Sequence, residues 1–278
     1  DRNDPAAATF LIVGGGPTGV ELAGEIRRLA DEEMRDAPLI PRVILVEHTD
    51  RLLPGFATRS SMAAERQLDR LGVEVRLESA LKRVDSGQYV LQGAQGDLEL
   101  DARTVVWAAG VHPAPVLGGL TTGEGERLRV DRRCEVEGLQ GVYAIGDAAH
   151  FEQRGRVLPW IAPVALQQGA YIGRAIARRA LGRRPRPFRY VHRGMIAHVG
   201  DRAAVGEVLG VPLSGLLPWA LGEIVHLAFL PGLENRLLAA GDFLATTLGR
   251  RRRPSTLSRG VNVRFDAARG DFDEATLH

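Results

Sequence analysis

Apolar positions along the first eighty residues switch between the periods of a buried strand and of a helix. FLIV (10–13) is a continuous apolar run that ends in the glycine cluster GGGPTG, which predicts a buried parallel strand. In VELAGEIRRLADEE (20–33), Val20, Ala23, Ile26 and Leu29 or Ala30 recur at helical spacing, and an acidic stretch with Pro38 and Pro41 closes the pattern. RVILVEH (42–48) predicts a second strand, SMAAERQLDRLG (61–72) a helix ending at glycine, and VEVRL (73–77) a third strand. The order is β-α-β-α-β.

The pattern then changes. YVLQG (89–93) and DLEL (97–100) predict a hairpin, TVVWAAG (104–110) a further buried strand, and Val142 to Ile145 an apolar strand that stops at Gly146-Asp147. Pro163 to Leu181 predicts a helix, followed by a basic, proline-containing linker (182–187). FRYVHRGMIAHVGDRAAVGEV (188–208) alternates as antiparallel strands do. From Leu209 the chain is an apolar segment with a tail.

Composition narrows the class. With 278 residues, 45% hydrophobic and 25% charged, the chain can build a packed core. Its single cysteine, Cys134, forms no intramolecular disulfide, and the opening DRNDPAAATF has neither the basic start nor the apolar run of a signal peptide, so a reducing cytoplasmic setting is expected. No uncharged apolar stretch reaches the roughly 18 residues of a spanning helix. Arginine clusters at Arg174, Arg178, Arg179, Arg183, Arg184, Arg186, Arg189 and Arg193, and again at Arg250 to Arg253. Such runs bind anionic lipid or nucleic acid, or are solvated faces. No nucleic-acid partner is expected. His112, His150, His192, His198 and His226 have no metal-site spacing, so no metal is expected.

The chemistry starts at the first glycine cluster. Gly14, Gly16 and Gly19 match G-x-G-x-x-G, with Thr18 beside the last glycine and with Ala23 and Gly24 as small residues for close packing against the sheet. The first glycine permits a tight turn, the second lets the backbone approach a pyrophosphate, and the third lets helix and strand pack closely. The helix start presents free N–H groups and a positive dipole end. Glu47, at the end of the next strand, offers acceptors to the adenosine ribose hydroxyls and repels a 2′-phosphate, which favours NADH over NADPH. Glu47 lies farther from the motif than the usual spacing, which an extra loop around Asp36 to Pro41 accounts for. A glycine turn without a ligand is the alternative.

GGGPTGVELAGEI, TVVWAAGV, GVYAIGDAA, APVALQQGAYIG and FRYVHRGMIAHVG occur in the order and approximate spacing of the type II, non-electrogenic NADH:quinone oxidoreductases, a family of two-dinucleotide-fold flavoproteins that residues 8 to 250 resemble. The resemblance implies that Gly146 and Asp147 contact FAD, that Gly110 lies near the nicotinamide, and that Glu21 faces the nicotinamide–flavin region as the catalytic residue. Asp147 also reads as a plain strand-end acid, and Glu21 as an ordinary surface acid. APVALQQG resembles the family's quinone-site helix A-Q-x-x-x-Q, with Ala162 and Gln167 matching and Pro163 in place of glutamine. That implies quinone contact through Gln167 and Gln168. The lack of a C-x4-C pair separates the chain from disulfide reductases of similar fold.

Residues 213 to 253 resemble the family's membrane-anchoring region. Leu216, Trp219, Leu221, Ile224, Leu227 and Phe229 form a wide apolar face, and the arginines beyond it suit an anionic membrane surface. A buried core or homodimer helix is the competing reading.

The expectation is an α/β protein: a Rossmann-like NADH-binding domain (1–112), the second part of a FAD-binding domain (113–182), and C-terminal strands with an amphipathic membrane-anchoring region and tail (183–278). Family members carry a separate FAD-binding glycine loop ahead of the NADH loop, so the resemblance implies that this chain lacks the N-terminal FAD-binding half. The implied activity is hydride transfer from NADH to FAD and electron transfer to a membrane quinone, by a peripheral protein on the cytoplasmic face. Two alternatives stay open: a flavoprotein reductase with a soluble acceptor, and a catalytically silent NAD(H)-binding fragment.

Overall fold

The computed structural model describes residues 4–35, 37–85, 88–93, 96–111, 127–230, 232–247, 263–266 and 271–274. Asp36, His112, Arg250 to Arg253 and the expected domain boundary at 112 lie outside them.

Strand β1 (Thr9–Val13), helix α1 (Pro17–Glu33), strand β2 (Arg42–Val46), helix α2 (Thr58–Arg70) and strand β3 (Val73–Arg76) follow the expected β-α-β-α-β order. With β7 (Thr104–Trp107) they form a parallel sheet of order β3-β2-β1-β7. Strands apolar on every residue are explained by burial on both faces. Ile12, Val43 and Leu45 face α1 and α2 in one core with Val20, Ala23, Ala64 and Leu68. Leu11, Val13, Ile44 and Val46 face the other way, against Leu91, Leu100 and Ala102. Each fully buried aliphatic side chain contributes about 1.5–3 kcal/mol, which makes this layer the most strongly determined part of the chain.

The second face is covered by an antiparallel meander of β4 (Ala80–Asp85), β5 (Gln88–Gly93) and β6 (Gly96–Asp101). The β5-β6 hairpin was expected; β4 was not, because ALKRVD is exposed at nearly every position. The stretch 104–110, expected as a buried strand, is strand only to Trp107. It is the outer strand of the described sheet, with Trp107 65% exposed.

A second core gathers Leu128, Cys134, Val136, Phe151, Val164, Phe188 and Tyr190. Around it β8 (Leu128–Arg129) pairs with β9 (Ala149–His150), β10 (Glu152–Gln153) pairs with β11 (Arg156–Val157), and helix α3 (Ala162–Ala180) packs alongside a 3-10 turn at Gly146–Ala148. The strand expected at Val142 to Ile145 is absent. Its backbone closes on the preceding turn instead, with Val136 N–H donating to Val142 O and Ala144 N–H donating to Cys134 O. The apolarity there reflects burial of Ala144 against this core rather than strand pairing.

β12 (Gly194–His198), β13 (Ala204–Val208) and β14 (Val211–Gly215) form an antiparallel sheet, so the strand character of 188–208 is found from Gly194 onward and extends past it. Ala197, Val199 and Val205 join the core of α1 and α2. The two glycines Gly24 and Gly200 meet there: a Cβ on Gly24 would lie 2.6 Å from Gly200 N. Gly24 is therefore small because of the β12-β13 turn, not because of the parallel sheet.

The apolar C-terminal segment consists of two helices, α4 (Leu216–Phe229) and α5 (Leu233–Thr247), and its first residues belong to β14. The short pair β15 (Val263–Asp266) and β16 (Asp271–Glu274) follows. The chain divides after Gly222 into two compact units. No helix among the described residues is long and apolar enough to cross a membrane.

Candidate functional site

β1 delivers the chain into a turn that only glycine can make. Gly14 has φ +113°, its N–H donates to Val46 O at 2.8 Å, and a Cβ there would overlap the backbone of Ala108 and Ala109. Gly19, in the first turn of α1, lies so close to Gly14 O that a Cβ would overlap it. Both glycines are thus fixed by the packing of the protein on itself. Gly16 is different. It sits at the N-cap of α1 with an extended conformation that any residue adopts, and nothing lies within 4 Å of where its Cβ would be.

The space beside Gly16 adjoins unused donors. No side chain caps α1, Pro17 has no N–H, and the N–H groups of Gly16, Thr18 and Gly19 donate to no acceptor among the described residues. Thr18 is exposed at this end. Open room above a glycine, three free amides and the positive end of a helix dipole fit an anion such as a pyrophosphate.

Glu47 closes the site from β2. It is 4% exposed, and its carboxylate is held by three hydrogen-bond donors with His48 alongside. Gly15 N–H donates to Oε2 at 2.6 Å, Thr49 N–H and Thr49 Oγ1 donate to Oε1 at 2.8 and 2.9 Å, and His48 Nδ1 lies 2.8 Å from Oε1. Burial acts to raise the Glu47 pKa, but the donors from Thr49 and Gly15 with the neighbouring His48 outweigh it and hold the group below the usual carboxylate range. Glu47 is therefore ionised at neutral pH and fixed in place. Gly15 and Thr49 are site residues that the sequence reading missed. The signal for Gly15 was the middle glycine of the GGG run: a Cβ there would lie 2.7 Å from Leu52 Cδ2 and 2.8 Å from Glu47 Cβ.

The other expected residues fall into two groups. Gly110 (φ +121°) follows β7, whose parallel pairing with β1 sets its carboxyl end beside the glycine turn; it is exposed, with nothing within 4 Å of a would-be Cβ. Glu21 on α1 accepts the His198 N–H through Oε1 at 3.1 Å and so ties the glycine-loop helix to β12.

Gly146, Asp147, Gln167 and Gln168 meet around α3. Gly146 has φ +62°, and its N–H donates to Gln168 Oε1 at 2.6 Å. Gln168 is fully buried, and its Nε2 has no hydrogen-bond partner among the described residues. Asp147 is exposed and makes no hydrogen bond among the described residues. Gln167 is locked to the backbone of Val191, with Nε2 donating to Val191 O at 2.9 Å and Oε1 accepting Val191 N–H at 3.0 Å. Both glutamine amides thus bond backbone, one at the Gly146 turn and one ahead of β12. A buried, unpartnered Nε2 beside a left-handed glycine turn fits a polar cofactor edge approaching Gly146. Cys134 is fully buried, and burial pushes its thiol up to about 12, which removes it from redox chemistry.

A parallel β-α-β unit with a glycine turn, a free helix N-terminus and a buried acid at the end of the second strand defines a dinucleotide-binding module. The family model of the pyridine nucleotide-disulphide oxidoreductases matches residues 2–169, and the chain belongs to that family. The resemblance to type II NADH:quinone oxidoreductases is borne out among its relatives. It is 30% identical over 267 residues to the type II NADH:quinone oxidoreductase Ndh of Mycobacterium tuberculosis, a match covering 90% of this chain and 56% of that protein. With NdhA of the same organism it shares 29% over 262 residues, covering 88% of this chain and 55% of the relative. The chain thus spans little more than half the length of these relatives. Among solved structures, NDH2 from Plasmodium falciparum in complex with NADH superimposes with a TM-score of 0.78 at 17% identity, over 89% of this chain and 67% of that one, a likeness of fold.

Proposed function

We propose that this chain carries the NADH-binding module and the second part of the FAD-binding domain of a type II, non-proton-pumping NADH:quinone oxidoreductase. The observation that carries the reading is the open space at Gly16 with the unused amides of Gly16, Thr18 and Gly19, next to Gly15, whose N–H is held by the fixed carboxylate of Glu47. The amides would bind the pyrophosphate of NADH, and Glu47 would orient the adenosine ribose while repelling a 2′-phosphate.

Gly110, at the end of the strand beside the glycine turn, would leave room for the nicotinamide. Glu21 would hold the α1 side of the reacting region through His198, keeping Oε2 for that region. Gly146, Asp147 and the Nε2 of Gln168 would hold FAD, which when bound accepts hydride from NADH and hands electrons to quinone. Gln167 and Gln168 would shape the α3 side of the quinone site, each fixed by a backbone contact.

The membrane surface enters through α4 and α5. Ile224, Val225 and Phe229 on α4 and Leu233, Leu237, Leu238 and Leu244 on α5 are all exposed. Neither helix is a spanning segment. Exposed apolar area of this kind suits a peripheral interfacial contact, on the cytoplasmic face in this proposal, or a homodimer face.

Two titrations test the reading. NADH should bind and NADPH should bind at least about tenfold more weakly. The chain purified with added FAD should show a flavin spectrum that NADH bleaches; flavin-loaded protein that NADH leaves unbleached would sink the oxidoreductase reading, and saturable NADH binding would then leave the silent NAD(H)-binding alternative.

A further inference from the structure

A second charged concavity lies away from the glycine loop, at the carboxyl end of α3. It is a depression of about 510 Å³ bordered by Arg133, Arg179, Arg183 and Arg184 with Asp131 and Glu135. Within it the acids are already engaged by the protein. Arg179 grips Glu135 with both terminal nitrogens, at 3.0 and 2.8 Å, and Glu135 Oε1 also accepts the Gly141 N–H. Asp131 Oδ1 accepts the N–H groups of Arg133 and Glu135 at 2.7 and 3.0 Å, and its Oδ2 lies 3.9 Å from Arg133 Nη1. Two cations are thereby balanced by two carboxylates. Arg183 and Arg184 have no ion pair among the described residues, which leaves a surplus of two positive charges.

The surrounding geometry fixes these groups. Arg179 also donates to Tyr143 OH at 2.7 Å, and Arg133 Nε donates to Pro185 O at 3.1 Å. Both guanidiniums are held by the protein and keep N–H donors unused. Arg183 and Arg184 follow the left-handed Gly182 (φ +67°), whose turn already satisfies the last carbonyls of α3: Gly182 N–H donates to Arg179 O and Arg183 N–H to Arg178 O. The arginine side chains are therefore not needed to cap the helix.

We infer that this depression is a binding site for a phosphate-bearing ligand, taking a phosphate monoester or pyrophosphate group as a dianion. Held guanidiniums supply oriented donors, and the free pair supplies the charge that matches two negative charges. The inference does not rest on the NADH reading, since no residue of the glycine loop borders this cavity.

Calorimetric titration of this chain with inorganic pyrophosphate tests it. Saturable, salt-sensitive binding is expected, weakened at least about tenfold by Arg183→Gln with Arg184→Gln. Arg189→Gln with Arg193→Gln, in the same basic stretch but outside the cavity, should change it by less than about twofold. Equal weakening by both pairs would reduce the effect to diffuse charge and overturn the site, as would the absence of saturable binding. Vesicles containing phosphatidic acid separate the two sources of such a group. If pyrophosphate and Arg183→Gln with Arg184→Gln both weaken vesicle binding, the group is a lipid headgroup. If vesicle binding is untouched while pyrophosphate still binds, it is a soluble phosphate compound.

Discussion

Replacing Glu47 by glutamine should destabilise the fold even without a ligand, because the carboxylate is an acceptor surrounded by donors. Oε2 takes the Gly15 N–H, and Oε1 takes the N–H and hydroxyl of Thr49. Glutamine keeps a single acceptor oxygen. Turned to keep the Thr49 contacts, its NH2 group faces the Gly15 N–H, donor against donor. Turned the other way it loses the Thr49 N–H, although the Thr49 hydroxyl can still donate to Arg51 O. Either arrangement removes a bond to a charged acceptor and leaves one backbone N–H unpaired. The cost is about 2–4 kcal/mol. Urea unfolding of wild type and Glu47→Gln at neutral pH measures it. The difference should also depend on pH. The folded-state pKa of Glu47 lies below its ordinary value of 4.5, so its contribution is fully present above about pH 4.5 and is lost as pH falls through the folded pKa. Wild type should therefore approach the variant in acid. A neutral-pH difference under about 1 kcal/mol, or one unchanged in acid, would refute the argument that Glu47 is fixed by these donors.

Gly16→Ala and Gly19→Ala should separate ligand from fold. Alanine at 16 meets nothing, so stability should change by less than about 0.5 kcal/mol while NADH affinity in a fluorescence titration falls at least about tenfold; alanine at 19 overlaps Gly14 O and should lower the melting temperature as well. Gln168→Leu removes the acceptor of the Gly146 N–H and should cost about 1–3 kcal/mol in chemical denaturation. Ile224→Asp with Phe229→Asp, both exposed, should leave the melting temperature within a few degrees and abolish flotation with anionic liposomes, if α4 lies at a membrane surface.

The elements legible in the sequence are those whose burial is two-sided. FLIV and RVILV are apolar at consecutive positions because Leu11 and Ile44 enter one core while Ile12 and Leu45 enter the other, and no other environment explains such runs so economically. β4 and β14 escaped the reading because their exposed faces carry no such pattern and their pairing is set by neighbours. Val142 to Ile145 shows the reverse error. An apolar run records burial, and burial can be met by a turn closed on Cys134 and Val136 as well as by a strand.

The same distinction separates the two halves of the candidate site. A glycine motif constrains backbone, so Gly14 and Gly19 could be placed from spacing, and the structure gives each a steric reason that holds without any ligand. Side-chain amides carry no such signature: the sequence shows Gln167 and Gln168 adjacent on a helix but not that one amide reaches Val191 and the other the Gly146 N–H. Gly16 is the converse case. Its backbone is ordinary and its surroundings are open, so the packing of this chain supplies no reason for glycine there. A residue that the fold leaves unexplained, at a helix start with unused amides, is the position at which a bound dinucleotide would supply the missing contact.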